Sequence, residues 1–232
     1  MIHTPRKVSN LWNVFGPFFI NTAICGFLSY GFIYLPWFCY LERTVTHDYH
    51  IMHAPLDDLI PFNEYFIIPY IAWFVFVAGT LLFFMFRSRE DYYRMCAFLF
   101  SGMSISLIIC TFFKNGTDLR PVIDPEKNIF SAAVAALYQT DTCTNVFPSI
   151  HVYNSIGTLI AVCKSSLFKN RKLIKTGAGI MTAAICLSTV FLKQHSVIDV
   201  AGAGIMACMM YHLVYAYSPA GQGKKVAEKI LE

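Results

Sequence analysis

The chain has 232 residues, of which 56% are hydrophobic and only 14% charged, with a mean hydropathy of +0.51. A soluble domain carries roughly 25% charged residues, so these charges are too few to coat a globule of this size, and a lipid bilayer is the natural solvent for the surplus apolar surface. The net charge of +4 is modest, and no basic run of the kind that grips nucleic acid is present, which excludes that class of partner.

In chain order, residues 1–13 form a polar start carrying Arg6 and Lys7. The apolar run Val14–Leu41 follows. It exceeds the 7–15 residues or so of a cleaved signal peptide, so it reads as an uncleaved first span. The next loop holds His47, His50 and His53 near Asp48, Asp57 and Asp58. Their spacing matches no firm metal signature, and a solvated or headgroup-facing loop is the expectation. Spans are then predicted over Tyr65–Phe86, Tyr92–Phe113, Leu173–Leu192 and Val197–Tyr217, each near the roughly 20 apolar residues a crossing needs. A shorter segment, Ser149–Cys163, completes six, extended by Phe147 and Pro148 because proline suits a first helical turn. The runs are continuous, not alternating, so no strands are expected. The fold class is therefore an all-α integral membrane protein with six transmembrane helices. Residues 14–217 make one membrane domain with a motif-bearing core at about 92–217, and residues 218–232 form a tail.

Lysine and arginine orient the spans. Thirteen of the eighteen fall at the two termini and in the second and fourth connections (Arg87, Arg89 and Arg94; Lys164 to Lys175). Arg43, Lys114, Arg120, Lys127 and Lys193 fall on the other side, where ten of the fourteen acids also lie. The positive-inside rule places both termini in the cytoplasm and the smaller set outside. The expectation is a multi-pass protein of the cell (plasma) membrane.

Three polar islands stand beside spans on that outer side: Lys114 to Pro121, Pro148 to His151, and Ser188 to Asp199. Charges and histidines next to apolar spans are expensive and mark functional sites by default. His195 and Asp199, four apart, share a helical face. A carboxylate on one imidazole nitrogen fixes the tautomer and raises the basicity of the other, which makes His195 a nucleophile candidate. His151 is placed to act as general acid. Arg120 offers a planar fork that matches phosphate oxygens, Lys114 and Lys193 add charge, and the start of the fourth helix aims free N–H groups at an anion. Competing readings are a helix cap for His195 and Asp199, an interfacial anchor for Arg120, and snorkelling for both lysines.

At these residues the chain resembles the type 2 phosphatidic acid phosphatase superfamily, which is similar to the vanadium haloperoxidases. Its motifs run Lys-x6-Arg-Pro, Pro-Ser-Gly-His and Ser-Arg-x5-His-x3-Asp, and the resemblance covers roughly residues 55–217. It implies a phosphatidic acid phosphatase type 2-like bundle. It also implies that His195 takes up the phosphoryl group, with Asp199 supporting it, His151 as acid and Arg120 binding phosphate helped by Ser149. No metal or cofactor is implied. Three departures stand out: five residues separate Lys114 from Arg120, Ile150 replaces glycine, and Thr189 stands where the family has an arginine. The stretch Asp57-Asp58-Leu59-Ile60-Pro61-Phe62, with Phe66 to Tyr70, resembles a branch near the inositol phosphorylceramide and sphingomyelin synthases. The expected partners are a lipid phosphate or pyrophosphate substrate and membrane lipids. The expected activity is phosphatase, with lipid phosphotransfer as the alternative and a non-catalytic lipid-binding or transport protein third.

Overall fold

A computed structural model describes Gly26 and residues 29–216. Helix α1 covers residues 29–44 and takes in the end of the first predicted span, so residues 14–25, 27 and 28 of that prediction and both terminal segments lie outside the described residues. Then come α2 (Pro55–Leu59), α3 (Ile67–Arg87), α4 (Arg89–Phe112), α5 (Ile129–Thr140), α6 (Ile150–Lys164), α7 (Lys172–Phe191) and α8 (Val197–Tyr211), which runs on as a π-turn, His212–Ala216.

Among the described residues, four helices are long and apolar enough to cross a membrane: Glu64–Arg87, Arg89–Phe112, Lys172–Phe191 and Val197–Ala216. On the first, mean hydropathy reaches 2.2 while only 17% of the apolar window is buried. That combination is stable only if Ile71, Phe74, Val75 and Leu82, all exposed, face lipid. The chain is an integral membrane protein. These four match the predicted spans to within three residues at each start, since a long apolar run closes its own hydrogen bonds wherever it lies.

Three expectations need correction. Pro148 does not open the fourth predicted segment: Ser149 is the N-cap, and the helix begins at Ile150 after a cis Phe147–Pro148 bond. One short strand pair exists, β1 (His50–Ile51) parallel to β2 (Asn115–Gly116). Finally, α5 had no predicted counterpart. At 12 residues it is too short for a span, and it is started by Asn128, whose side chain accepts from Phe130 N and Ser131 N.

At the centre is α6, packed on α3, α4, α7 and α8. At about 22 Å of rise it is short for a lipid crossing. Its neighbours bury Val152 to Ser155, Gly157, Thr158, Ala161 and Val162, so nearly its whole circumference meets protein. Its two aliphatic hydroxyls in this stretch are satisfied locally: Ser155 Oγ donates to His151 O at 2.7 Å and Thr158 Oγ1 to Asn154 O at 2.8 Å. The lock with α4 is aromatic over glycine. Tyr153 stacks on Phe98 with centroids 4.9 Å apart and donates its hydroxyl to Phe98 O at 2.8 Å. A Cβ on Gly102 would lie 2.0 Å from Tyr153 Cζ, and one on Gly157 2.5 Å from Phe98.

Gly102→Ala therefore forces the Tyr153 ring out of a fully buried slot. Overpacking of this kind costs about 1–3 kcal/mol. A lowered thermal midpoint in detergent is expected, whereas Gly79→Ala, which meets open space, leaves the midpoint unchanged or raised.

Candidate active site

Five helix ends meet at one pole of the bundle: the starts of α3, α6 and α8 and the ends of α4 and α7. The described basic residues of the larger set, Arg87, Arg89 and Lys164 to Lys175, sit at the opposite helix ends. Beyond α4 the chain enters β2, where fully buried Asn115 acts as a clamp. Its Nδ2 donates to Phe113 O at 2.7 Å, and its Oδ1 accepts from Phe147 N at 2.8 Å. The Phe147–Pro148 turn is further held by Ser106 Oγ, which donates to Pro148 O at 3.4 Å. That turn delivers Ser149, whose Oγ accepts from Val152 N and whose N–H donates to Asp199 O at 3.3 Å. The first turns of α6 and α8 are thus tied together.

His151 follows in the first turn of α6. Its ring lies against Tyr70 (4.6 Å between centroids), Trp73 (4.4 Å) and His195 (5.9 Å). His195 is reached by a tight reversal after α7: Lys193 adopts φ 55°, and both Gln194 N and His195 N donate to Thr189 O, at 3.0 and 3.1 Å. Nδ1 of His195 stands 3.4 Å from Oδ2 of Asp199, an ion-pair distance and not a formed hydrogen bond. Asp199 also works as a cap, its Oδ2 accepting from Ser196 N at 2.9 Å. Asp199 is therefore a helix cap that also stands at ion-pair distance from His195.

Arg120 joins the pair through Gln194, whose Oε1 accepts from Nη2. Its fork is otherwise held by backbone: Nη1 donates to Asp141 O at 2.8 Å and Nη2 to Thr142 O at 2.7 Å, with the guanidinium 4.6 Å above the Tyr138 ring. The end of α5 supplies this cradle. Tyr70 braces it by donating to Asp141 Oδ2 at 3.0 Å.

Not every predicted residue comes here. Lys114 is exposed, and its carbonyl accepts from His50 N at 2.9 Å. Lys193 is buried, but its Nζ donates to Asp57 O at 2.6 Å, toward α2. Thr189 is fully buried, with Oγ1 donating to Cys186 O in its own helix. His195, His151, Asp199, Arg120 and Ser149 do converge.

The sequence missed Asp57. It is 1% exposed; Oδ1 accepts from Val197 N at 2.9 Å, and Oδ2 accepts from Ser196 Oγ at 2.6 Å and from Ala54 N. A carboxylate from α2 thus caps α8. In the sequence Asp57 stands in the outer loop and opens the stretch that resembles the synthase branch, but nothing there assigns it a role. Of the nearby histidines, His53 ties α2 to the Arg120 loop, with Nε2 3.0 Å from Asp58 Oδ1 and Nδ1 3.4 Å from Asp118 Oδ1. Among the described residues no three His, Cys, Asp or Glu side chains gather as metal ligands.

Among the described residues, nine buried side-chain polar atoms lack a hydrogen-bond partner, and six belong to this cluster: Trp73 Nε1, Arg120 Nε, His151 Nδ1, Gln194 Nε2, His195 Nδ1 and Asp199 Oδ1. An unmatched buried polar group costs about 1–3 kcal/mol, and such a concentration is the mark of a site that meets a polar ligand. Two imidazoles, one backed by a carboxylate, beside a guanidinium can together hold and protonate a phosphoryl group.

A membrane helix bundle with a His–His–Asp cluster at one pole is the class of protein these features define. The chain belongs to the PAP2 superfamily, the type 2 phosphatidic acid phosphatases, whose family model matches residues 95–222. Members are phosphatases or phosphotransferases, so this is an enzyme of phosphatase type. No curated protein and no solved structure matches the chain. Asp57 and the α3 residues Tyr70 and Trp73 lie outside the matched region.

Two outcomes follow from this geometry. Asp57→Ala removes both acceptors from a buried helix start, which costs about 1–3 kcal/mol. A lower thermal midpoint is expected, with Asp57→Asn, which keeps one acceptor, affected less. The second concerns pH. The Asp58 carboxylate bonded to His53 raises the imidazole above its ordinary value, with Asp118 adding to the effect. The tie is therefore fully present below about 6.5, the unfolded value, and is lost as pH rises through the higher folded value. Backbone protection at residues 53, 54, 56–58 and 118, after correction for the intrinsic base-catalysed rise in exchange, is expected to fall over that range, and His53→Gln is expected to abolish this pH-dependent loss of protection.

Proposed function

We propose that the protein hydrolyses a lipid phosphate or pyrophosphate through a phosphohistidine on His195, at the extracytoplasmic face of a six-span membrane domain. The observation that carries this reading is the gathering of six partnerless buried polar atoms around the His151–His195 pair. Nδ1 of His195 faces Asp199, which leaves Nε2 as the nucleophile. Nε2 attacks phosphorus, the bond from phosphorus to the lipid oxygen breaks, and protonated His151 gives its proton to that leaving oxygen. Water then attacks the phosphohistidine and passes a proton to His151. The P–N bond breaks and inorganic phosphate leaves. Arg120 supplies charge to the developing oxyanion. The sidedness rests on the bias of lysine and arginine, with both termini cytoplasmic.

A second reading is favoured by one observation. Position 189, where the family carries an arginine, is a buried threonine bonded within its own helix. The synthase-like branch that the chain resembles lacks that arginine too. There a lipid hydroxyl replaces water, and a phospho-headgroup is transferred.

With the full chain in proteoliposomes, phosphate release from lipid phosphates is expected without added divalent metal and is blocked by vanadate. His195→Ala reduces it to the blank, and His151→Ala lowers it about 10²–10⁴-fold. Release that survives His195→Ala would sink the proposal. Labelled donor lipid separates the two readings, as free phosphate or as a newly labelled lipid.

A further inference from the structure

The missing arginine at position 189 leaves an open question of what holds the phosphoryl oxygens. We propose that Gln194 does, its side-chain amide donating to a phosphoryl oxygen beside Arg120. This rests on the phosphoryl-transfer reading above and adds a binding residue to it.

Arg120 has little left to offer a ligand. Its Nη1 and Nη2 already donate to the carbonyls of Tyr138, Asp141 and Thr142 and to Gln194. In this arrangement the guanidinium presents only Nε, which is buried and without a partner. A tetrahedral oxyanion needs further donors, and the charged ones expected from the sequence are engaged or distant. Lys193 reaches to Asp57 O, Lys114 is exposed, and Thr189 is locked to Cys186 O.

Gln194 fills that gap. It is 2% exposed, and its Oε1 accepts from Arg120. This contact fixes which end of the amide is which, because the flipped rotamer would set an N–H against the guanidinium. Nε2 therefore carries its hydrogens away from Arg120, and it too is buried and partnerless. In the chain it immediately precedes the reacting histidine. Thr189 O binds the N–H groups of both Gln194 and His195, so one carbonyl fixes the approach of the amide and the imidazole together. Arg120 Nε and Gln194 Nε2 thus make a composite fork from two elements, one donor charged and one neutral. In a dry site an oriented neutral donor stabilises developing charge without solvent reorganisation.

The test is vanadate inhibition of the full chain in proteoliposomes, with the vanadate-induced rise in thermal midpoint as a readout independent of turnover. Gln194→Leu removes donor and acceptor. Gln194→Glu removes the donor, keeps an acceptor for Arg120 and adds a negative charge, so an undiminished vanadate response in it rules out a donor at this position. Both variants are expected to weaken vanadate about 10- to 100-fold, the worth of one hydrogen bond to a charged group. Wild-type inhibition in Gln194→Glu would overturn the proposal, since the residue would then serve only as an acceptor. If Gln194→Leu does not fold, Gln194→Glu alone decides. A wild-type chain that neither releases phosphate nor responds to vanadate overturns the phosphoryl-transfer reading itself. A responsive wild type with equally responsive variants overturns only the role of Gln194.

Discussion

The site depends on how the first turn of α8 is satisfied. Helix starts leave N–H groups without intrahelical partners, and at the edge of a membrane domain there is little water to take them. Two carboxylates do so. Asp57 reaches across from α2 to Val197 N and Ser196 Oγ, and Asp199 folds back onto Ser196 N. Once Asp199 is held as a cap, its Oδ2 is also fixed 3.4 Å from His195 Nδ1. The placement of the carboxylate beside the histidine thus comes from the same contacts that close the helix, and a carboxylate in this place cannot rotate away without uncapping α8.

The shortness of α6 has a related cause. A helix facing lipid must be long and apolar, but one surrounded by four others is solvated by protein. That environment accepts Asn154, Ser155 and Thr158 in the middle of the bundle. It also lets the helix stop short, so that its first turn opens into a polar pole. Tyr153 over Gly102 then fixes its height against α4, and the Phe147–Pro148 turn fixes where His151 begins.

Much of this was legible in the sequence, for identifiable reasons. The four long spans are written in uninterrupted apolar runs. The pairing of His195 with Asp199 follows from a separation of four. The convergence of Arg120, His151 and His195 followed from three islands at like ends of alternating helices. What was illegible depended on contacts or backbone angles that no local pattern encodes. Asp57 acts on residues about 140 positions away. Lys193 was expected to face phosphate, but the left-handed turn that carries it sends its ammonium to α2. Arg120 read as a free bidentate fork. Backbone carbonyls at the end of α5, a helix the sequence did not announce, compete for those same donors.

That competition shapes the electrostatics of the pole. The start of α8 carries two carboxylates, which offset the positive end of its dipole. The start of α6 is capped by the neutral Ser149 hydroxyl, and its dipole is left uncompensated. The two histidines therefore stand in different fields. His195 stands 3.4 Å from the Asp199 carboxylate that closes α8, and His151 stands in the first turn of α6, whose cap carries no charge. Two copies of the same side chain thus meet at one pole with different surroundings, set apart by which kind of residue caps each helix.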